Sequence, residues 1–182
     1  MQETVNAVDA FGAVLSAGAS FGESVEAPFV TYDVVCHDAD GNEKWREVFR
    51  NVVTTAGKTD ALDKYLKGSG YTAAWYLGLK AAGTAVVGDT MASHSGWTEI
   101  TAYVASTRPA ITWGTTSGGS NTASGVAFSI NGTATVAGAF MVSDSTKSGT
   151  AGTLYSAGDF TGGSKSVSSG DTLTVTPTQS FS

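Results

Sequence analysis

One cysteine, three prolines, two histidines and ten lysines plus arginines are all that 182 residues contain of those types. A lone Cys36 cannot close an internal disulfide, so stability in a harsh setting has to come from packing or from self-association. Ten basic residues against sixteen acidic ones leave a formal net charge of −6, which removes the electrostatic source of attraction to phosphate backbones and argues against direct nucleic-acid binding. Apolar runs are short, and none reaches the roughly 18 residues of a membrane span. The first ten residues carry Glu3 and Asp9 where a secretory signal carries basic side chains, so the expectation is a protein made in the cytoplasm and kept out of the membrane. Two histidines offer little for a metal centre, and no cofactor is expected.

What is abundant is glycine, at 23 residues, together with serine and threonine in the second half; hydrophobic residues make up 41% and charged residues only 14%. Glycine supplies the positive φ of hairpin turns and threonine suits a pleated surface. The apolar content is too high for a disordered chain, and the length suits one domain with an adequate core.

Residues 1–27 are rich in Ala, Gly, Ser and Val without a clear period. Phe11, Leu15 and Phe21 stand isolated in that background and are the candidate partner contacts of an N-terminal arm. Residues 28–182 are expected to form a single domain. Phe29–His37 and Glu43–Phe49 read as two strands around the turn Asp38–Asn42. A calcium loop needs a third oxygen ligand and a Glu at position twelve on a helix-flanked loop, which argues against reading the acidic turn as half of one, and His37 reads as a strand-end surface residue. A short amphipathic helix is expected at about 59–67, capped by Thr59 or Asp60 and closed by Gly68, with Leu62, Tyr65 and Leu66 as its packing face. Tyr71–Leu79 reads as a strand buried on both faces, with Gly78 marking a bulge or a close approach.

Beyond the loop Asp89–Glu99, whose Trp97 is expected to anchor it to the body, short apolar runs recur between turn-formers at Ile100–Val104, Ala110–Trp113, Gly125–Ile130, Thr133–Val142, Thr153–Tyr155 and Thr172–Thr176. Val126, Phe128 and Ile130 alternate with Ala127 and Ser129, as in a sheet with one buried face. Asn131-Gly132 predicts a hairpin between Val126–Ile130 and Thr133–Val136. The last run is expected beside the first strands, with Pro177 ending its ladder. Together these patterns predict a mainly β protein, an antiparallel β-sandwich of jelly-roll type with one short helix. Trp75, Trp97, Phe128 and Phe140 are its candidate structural anchors.

Reactive chemistry has thin support. Asp89, His94 and Glu99, with Ser93 or Ser95, are nominal ingredients of a hydrolytic triad, but no G-x-S-x-G elbow precedes a helix. Two ligands, His94 and Asp89, do not make a metal site. Arg108 is expected to pair with Glu99 on the surface, worth only about 0 to 1 kcal/mol. Ser117-Gly-Gly-Ser120 leads into no helix start and so lacks the dipole of a phosphate loop. Low charge with exposed aromatics would suit carbohydrate stacking, with Trp113 or Tyr155 as first candidates.

Asn51–Gly57, Trp75-Tyr-Leu-Gly-Leu79, Asp89–Glu99, Thr107-Arg-Pro109, Ala137-Gly-Ala-Phe140 and Gly170-Asp-Thr-Leu173 together resemble a family of small structural proteins of tailed bacteriophages. The resemblance runs from about Asp40 to the C-terminus and leaves out the arm. It implies a non-enzymatic virion component: a capsid decoration (cement) protein on the major capsid protein, or a tail or fibre part, with self-association. A glycan-binding module is the alternative of a different class.

Overall fold

The computed structural model describes residues 28–70 and 74–181; the proposed arm, with Phe11, Leu15 and Phe21, lies outside the described residues. The chain opens with β1 (Phe29–His37) and β2 (Glu43–Arg50), the hairpin expected around Asp38–Asn42. Its turn is self-contained. Asp38 Oδ1 accepts from the backbone N–H of Asp40 at 3.0 Å and of Asn42 at 2.8 Å, while Gly41 takes a φ of +86° that a side chain would resist. Those bonds, that from Asn42 foremost, hold the Asp38 carboxyl below its usual range. The acidic turn thus spends its carboxylate on its own backbone.

β3 (Val52–Val53) then leads into α1 (Thr55–Leu66). The helix starts four residues earlier than the sequence pattern implied, and its cap is Thr54, not Thr59 or Asp60. Thr54 Oγ1 accepts from Gly57 N at 3.0 Å while its hydroxyl donates to Leu154 O. Gly57 is a poor helix former by itself. Here it is required, because a Cβ would lie 2.3 Å from Tyr155 O. Tertiary contact with the strand beneath thereby overrides propensity. At the other end Lys67 is the C-cap and the helix stops at Leu66.

The remaining strands are β4 (Tyr76–Lys80), β5 (Glu99–Ile100), β6 (Ser120–Thr122), β7 (Val126–Ser129), β8 (Ala134–Val136), β9 (Gly138–Val142), β10 (Leu154–Asp159), β11 (Lys165–Val167) and β12 (Thr172–Ser180). One sheet runs β2-β1-β12-β6, with β7 also on β12; the other runs β3-β10-β9-β4-β5; β8 and β11 form a separate pair. All pairings are antiparallel. Among the described residues this is the mainly β, sandwich-like fold with one helix that the sequence predicts; the pairings do not establish the finer jelly-roll winding.

The two sheets meet through Val30, Tyr32, Val34, Leu173 and Val175 on one side and Leu77, Leu79, Ala139 and Met141 on the other, all at most 2% exposed. Tyr32 Oη bonds Ser156 Oγ across the gap at 2.9 Å. Phe128 lies in this core, edge-on to Tyr103 at 5.0 Å. The second sheet is buried on its outer face as well. There Phe140, Val142, Leu154 and Ala157 are covered by Ala85, Met91 and Trp97 from the segment between β4 and β5. Gly78 meets a close approach, from a side chain: a Cβ there would sit 2.1 Å from the Phe140 ring of its cross-strand partner.

Two further expectations are corrected. Asn131-Gly132 does not turn a hairpin, since β7 pairs with β12 and β8 with β11. A two-residue hairpin needs positive φ at its turn, and neither residue is among those with positive φ. Their backbone is taken instead by neighbours, Ile130 N donating to Asp171 O at 2.8 Å and Asn131 N to Ala102 O at 3.2 Å. Pro177 does not end the last ladder, for β12 continues to Ser180 in register with β1. The Pro177 carbonyl accepts from Ala123 N at 3.0 Å, so its ring nitrogen faces the same edge, where the neighbour passes from β7 to β6 and no ladder donor is required.

Candidate functional site

The polar residues of the Asp89–Glu99 loop do not gather around a cavity. Asp89 Oδ2 accepts from Trp97 Nε1 at 2.9 Å and from Val86 N at 3.0 Å. The His94 ring stacks on Trp97 with centroids 4.1 Å apart, and its Nδ1 lies 3.2 Å from Trp97 O. Trp97, 3% exposed, leans on Phe140 at 5.1 Å. Glu99 faces away into an ion pair with Arg108 that is buried, which corrects the surface location expected for it. Asp89 and His94 thus brace Trp97, which holds the loop on the sheet, while Glu99 is engaged elsewhere. Among the described residues no group of three or more His, Cys, Asp or Glu could hold a metal ion, and no helix is long and apolar enough to cross a membrane.

Two polar anchors of the segment leading into this loop, Lys80 and Asp159, escape sequence reading. Lys80 is fully buried; its Nζ donates to Ala81 O at 3.1 Å, to Gly83 O and to Asp159 Oδ1, whose other oxygen accepts from Ala85 N at 3.1 Å. A lysine ending an apolar strand gives no hint of burial until the loop covering it is known.

Tyr155 lines two open features among the described residues. The first is a trough of about 650 Å³ formed by Pro28, Val53, Lys58, Ala61, Leu62, Tyr65, Leu66, Tyr155 and Phe181. The helical stripe expected to pack on the body is its outer wall, with Leu62 58%, Tyr65 88% and Leu66 69% exposed, and Phe181 56% exposed closes the far side. The apolar face predicted from spacing exists, but no described residue covers it.

The second feature is a cleft of about 230 Å³ at the end of the sandwich, lined by Trp75, Trp113, Asn121, Met141, Tyr155 and Gln179. Trp75 just precedes β4 and meets Tyr155 edge-on at 5.3 Å. Trp113 arrives on a crossing segment that hands over from one sheet to the other: Ile111 N donates to Trp75 O at 2.8 Å, and Ser124 N donates to Thr112 O at 2.9 Å. Asn121 and Gln179 are direct cross-strand partners on β6 and β12. Burial, with a smaller contribution from the Asp60 charge, pushes the Tyr155 phenol up to about 12, so the ring stays neutral. Trp113 and Tyr155, the aromatics singled out from sequence, therefore come together, while Asn121 and Gln179 carried no signal of their own. Comparison of the chain with protein-family models, curated proteins and solved structures found no match.

Proposed function

We propose that the chain is a non-enzymatic structural component of a tailed-bacteriophage particle, most simply a decoration protein seated on the outside of the assembled head. The sequence resemblance over residues 40–182 supports this reading. The structural observation that carries it is the apolar trough along α1, which no described residue covers. Contiguous exposed apolar surface of that kind marks protein contact sites in soluble domains. Leu62, Tyr65, Leu66 and Phe181 offer a partner aromatic and aliphatic area on a base whose sheets are packed on each other and, for one of them, on both faces.

The mechanism is linkage. A protein that binds the assembled shell and not its free subunits stabilises the shell by mass action. The partner is then the major capsid protein, with copies of the chain associating with one another across the lattice, and the location is the virion after synthesis in the host cytoplasm.

Quantitative mass spectrometry of density-purified particles from the producing lysate tests the proposal. Copies on the order of hundreds per particle, as shell symmetry requires, support the head. A few dozen or fewer would move the protein to the tail or a fibre, and none would remove it from the virion. Tyr65→Asp with Leu66→Asp should abolish rebinding to particles lacking the protein while leaving the circular dichroism spectrum unchanged.

A further inference from the structure

We propose that the cleft between Trp75, Trp113 and Tyr155 is a carbohydrate site that takes one ring of a neutral glycan, independently of the docking trough. The chemistry of its walls points there. A pyranose presents a flat patch of C–H groups and a rim of hydroxyls, so its site needs an aromatic face for the first and fixed acceptors or donors for the second. Three aromatics supply the first. Two amide oxygens supply the second: Asn121 Oδ1 and Gln179 Oε1 are buried atoms with no hydrogen-bond partner among the described residues.

The orientation of both amides is settled by their other ends. Asn121 Nδ2 donates to Gly114 O at 3.1 Å and Thr116 Oγ1 at 2.9 Å, and Gln179 Nε2 donates to Phe29 O and Ser180 O at 3.1 Å each. A flip would set amide oxygens against those carbonyls. The free ends are therefore acceptors, side by side across β6 and β12. A buried acceptor left without a donor costs about 1–3 kcal/mol, and two of them on residues that line one aromatic cleft favour a ligand that brings hydroxyl groups. None of the lining residues is charged, which disfavours phosphate or carboxylate ligands. At about 230 Å³ the cleft lies under the roughly 300–1,000 Å³ of sites enclosing drug-sized ligands, a size for one sugar ring with the remainder of the chain outside.

The test starts from the full chain on a glycan array, followed by saturation-transfer NMR and tryptophan-fluorescence titration with the terminal monosaccharide of the best hit. Binding to a set of neutral glycans sharing one terminal sugar is the expected result. Trp113→Ala should weaken it at least about tenfold, Trp113→Phe should restore part of the affinity by returning a flat face, and Gln179→Met should weaken it with the aromatics intact. Leu66→Asp, in the trough, should leave sugar binding unchanged, so failure of the docking reading and failure of this one are told apart. No array hit, affinity indifferent to Trp113→Ala in a protein with wild-type circular dichroism, or indole binding as tightly as the sugar would each overturn the proposal.

Discussion

Arg108 and Glu99 meet in a two-point ion pair, Nε to Oε1 at 3.0 Å and Nη2 to Oε2 at 2.8 Å, with side chains only 0% and 6% exposed. The guanidinium also donates to Asp144 O at 3.0 Å and Gly149 O at 2.9 Å, and Glu99 Oε2 accepts from Ser148 N at 2.8 Å. One buried pair thus ties β5 to the loop that follows β9. Removing one partner strands the other charge without water, so Glu99→Ala should cost about 3–5 kcal/mol. Urea unfolding measures it; a loss under about 1 kcal/mol would mean the pair behaves as a surface bridge.

Gly78 and Phe140 form a second obligate pair. Gly78→Ala places a methyl within 2.1 Å of the ring, and overpacking of this kind typically costs about 1–3 kcal/mol. In a Phe140→Leu background the same alanine should cost less, giving a measurable coupling energy in a thermal-unfolding cycle. Strict additivity of the two changes would disprove the contact.

Acid should weaken the protein partly through Glu47. The Lys165 ammonium, 2.9 Å from Oε1, holds the Glu47 carboxyl below its usual range, and a backbone bond from Gly162 at 3.2 Å adds to this. Because the folded group titrates below the unfolded one, its contribution is fully present above the unfolded value of about 4.3 and is lost as pH falls through the lower folded value. Glu47→Gln should therefore flatten the decline of the urea midpoint between neutral and strongly acidic pH. Parallel curves for variant and wild type would count against the assignment.

Cys36 should be silent in the folded protein. Burial first, and then the Asp171 carboxylate, pushes its thiol up to about 11, and only the thiolate attacks disulfide reagents. Labelling with Ellman's reagent at mildly basic pH should proceed at the rate of global unfolding and rise with urea. Prompt labelling in buffer would show an open route to the first sheet's core.

Local pattern carried a good share of the architecture. Alternation at Val126, Phe128 and Ile130, the Asp38–Asn42 turn and most of the glycine-punctuated runs correspond to strands and their connection because each depends on neighbours a few residues away, whereas Ala110–Trp113 makes only isolated bridges. The helix was legible in kind but not in extent, since its start rests on Thr54 and Gly57 meeting β10, about a hundred residues further along. Asn131-Gly132 had strong turn chemistry and still lost to pairing with distant strands. For the site, aromatic type alone singled out Trp113 and Tyr155. Asn121 and Gln179 stayed invisible, because an amide becomes a candidate ligand only when the fold uses up one end and leaves the other bare.

By itself the sequence determined the class: antiparallel strands, a single amphipathic helix, low charge, and no disulfide among its own residues. Those follow from side-chain period and composition, which are local. Only the tertiary structure decided that Lys80 and Arg108 are interior, that no described residue covers the Leu62–Tyr65–Leu66 stripe, and that Trp75, Trp113 and Tyr155 share a wall with two amides whose oxygens have no partner among the described residues. Burial and convergence depend on which distant segments meet, and no short-range pattern encodes that.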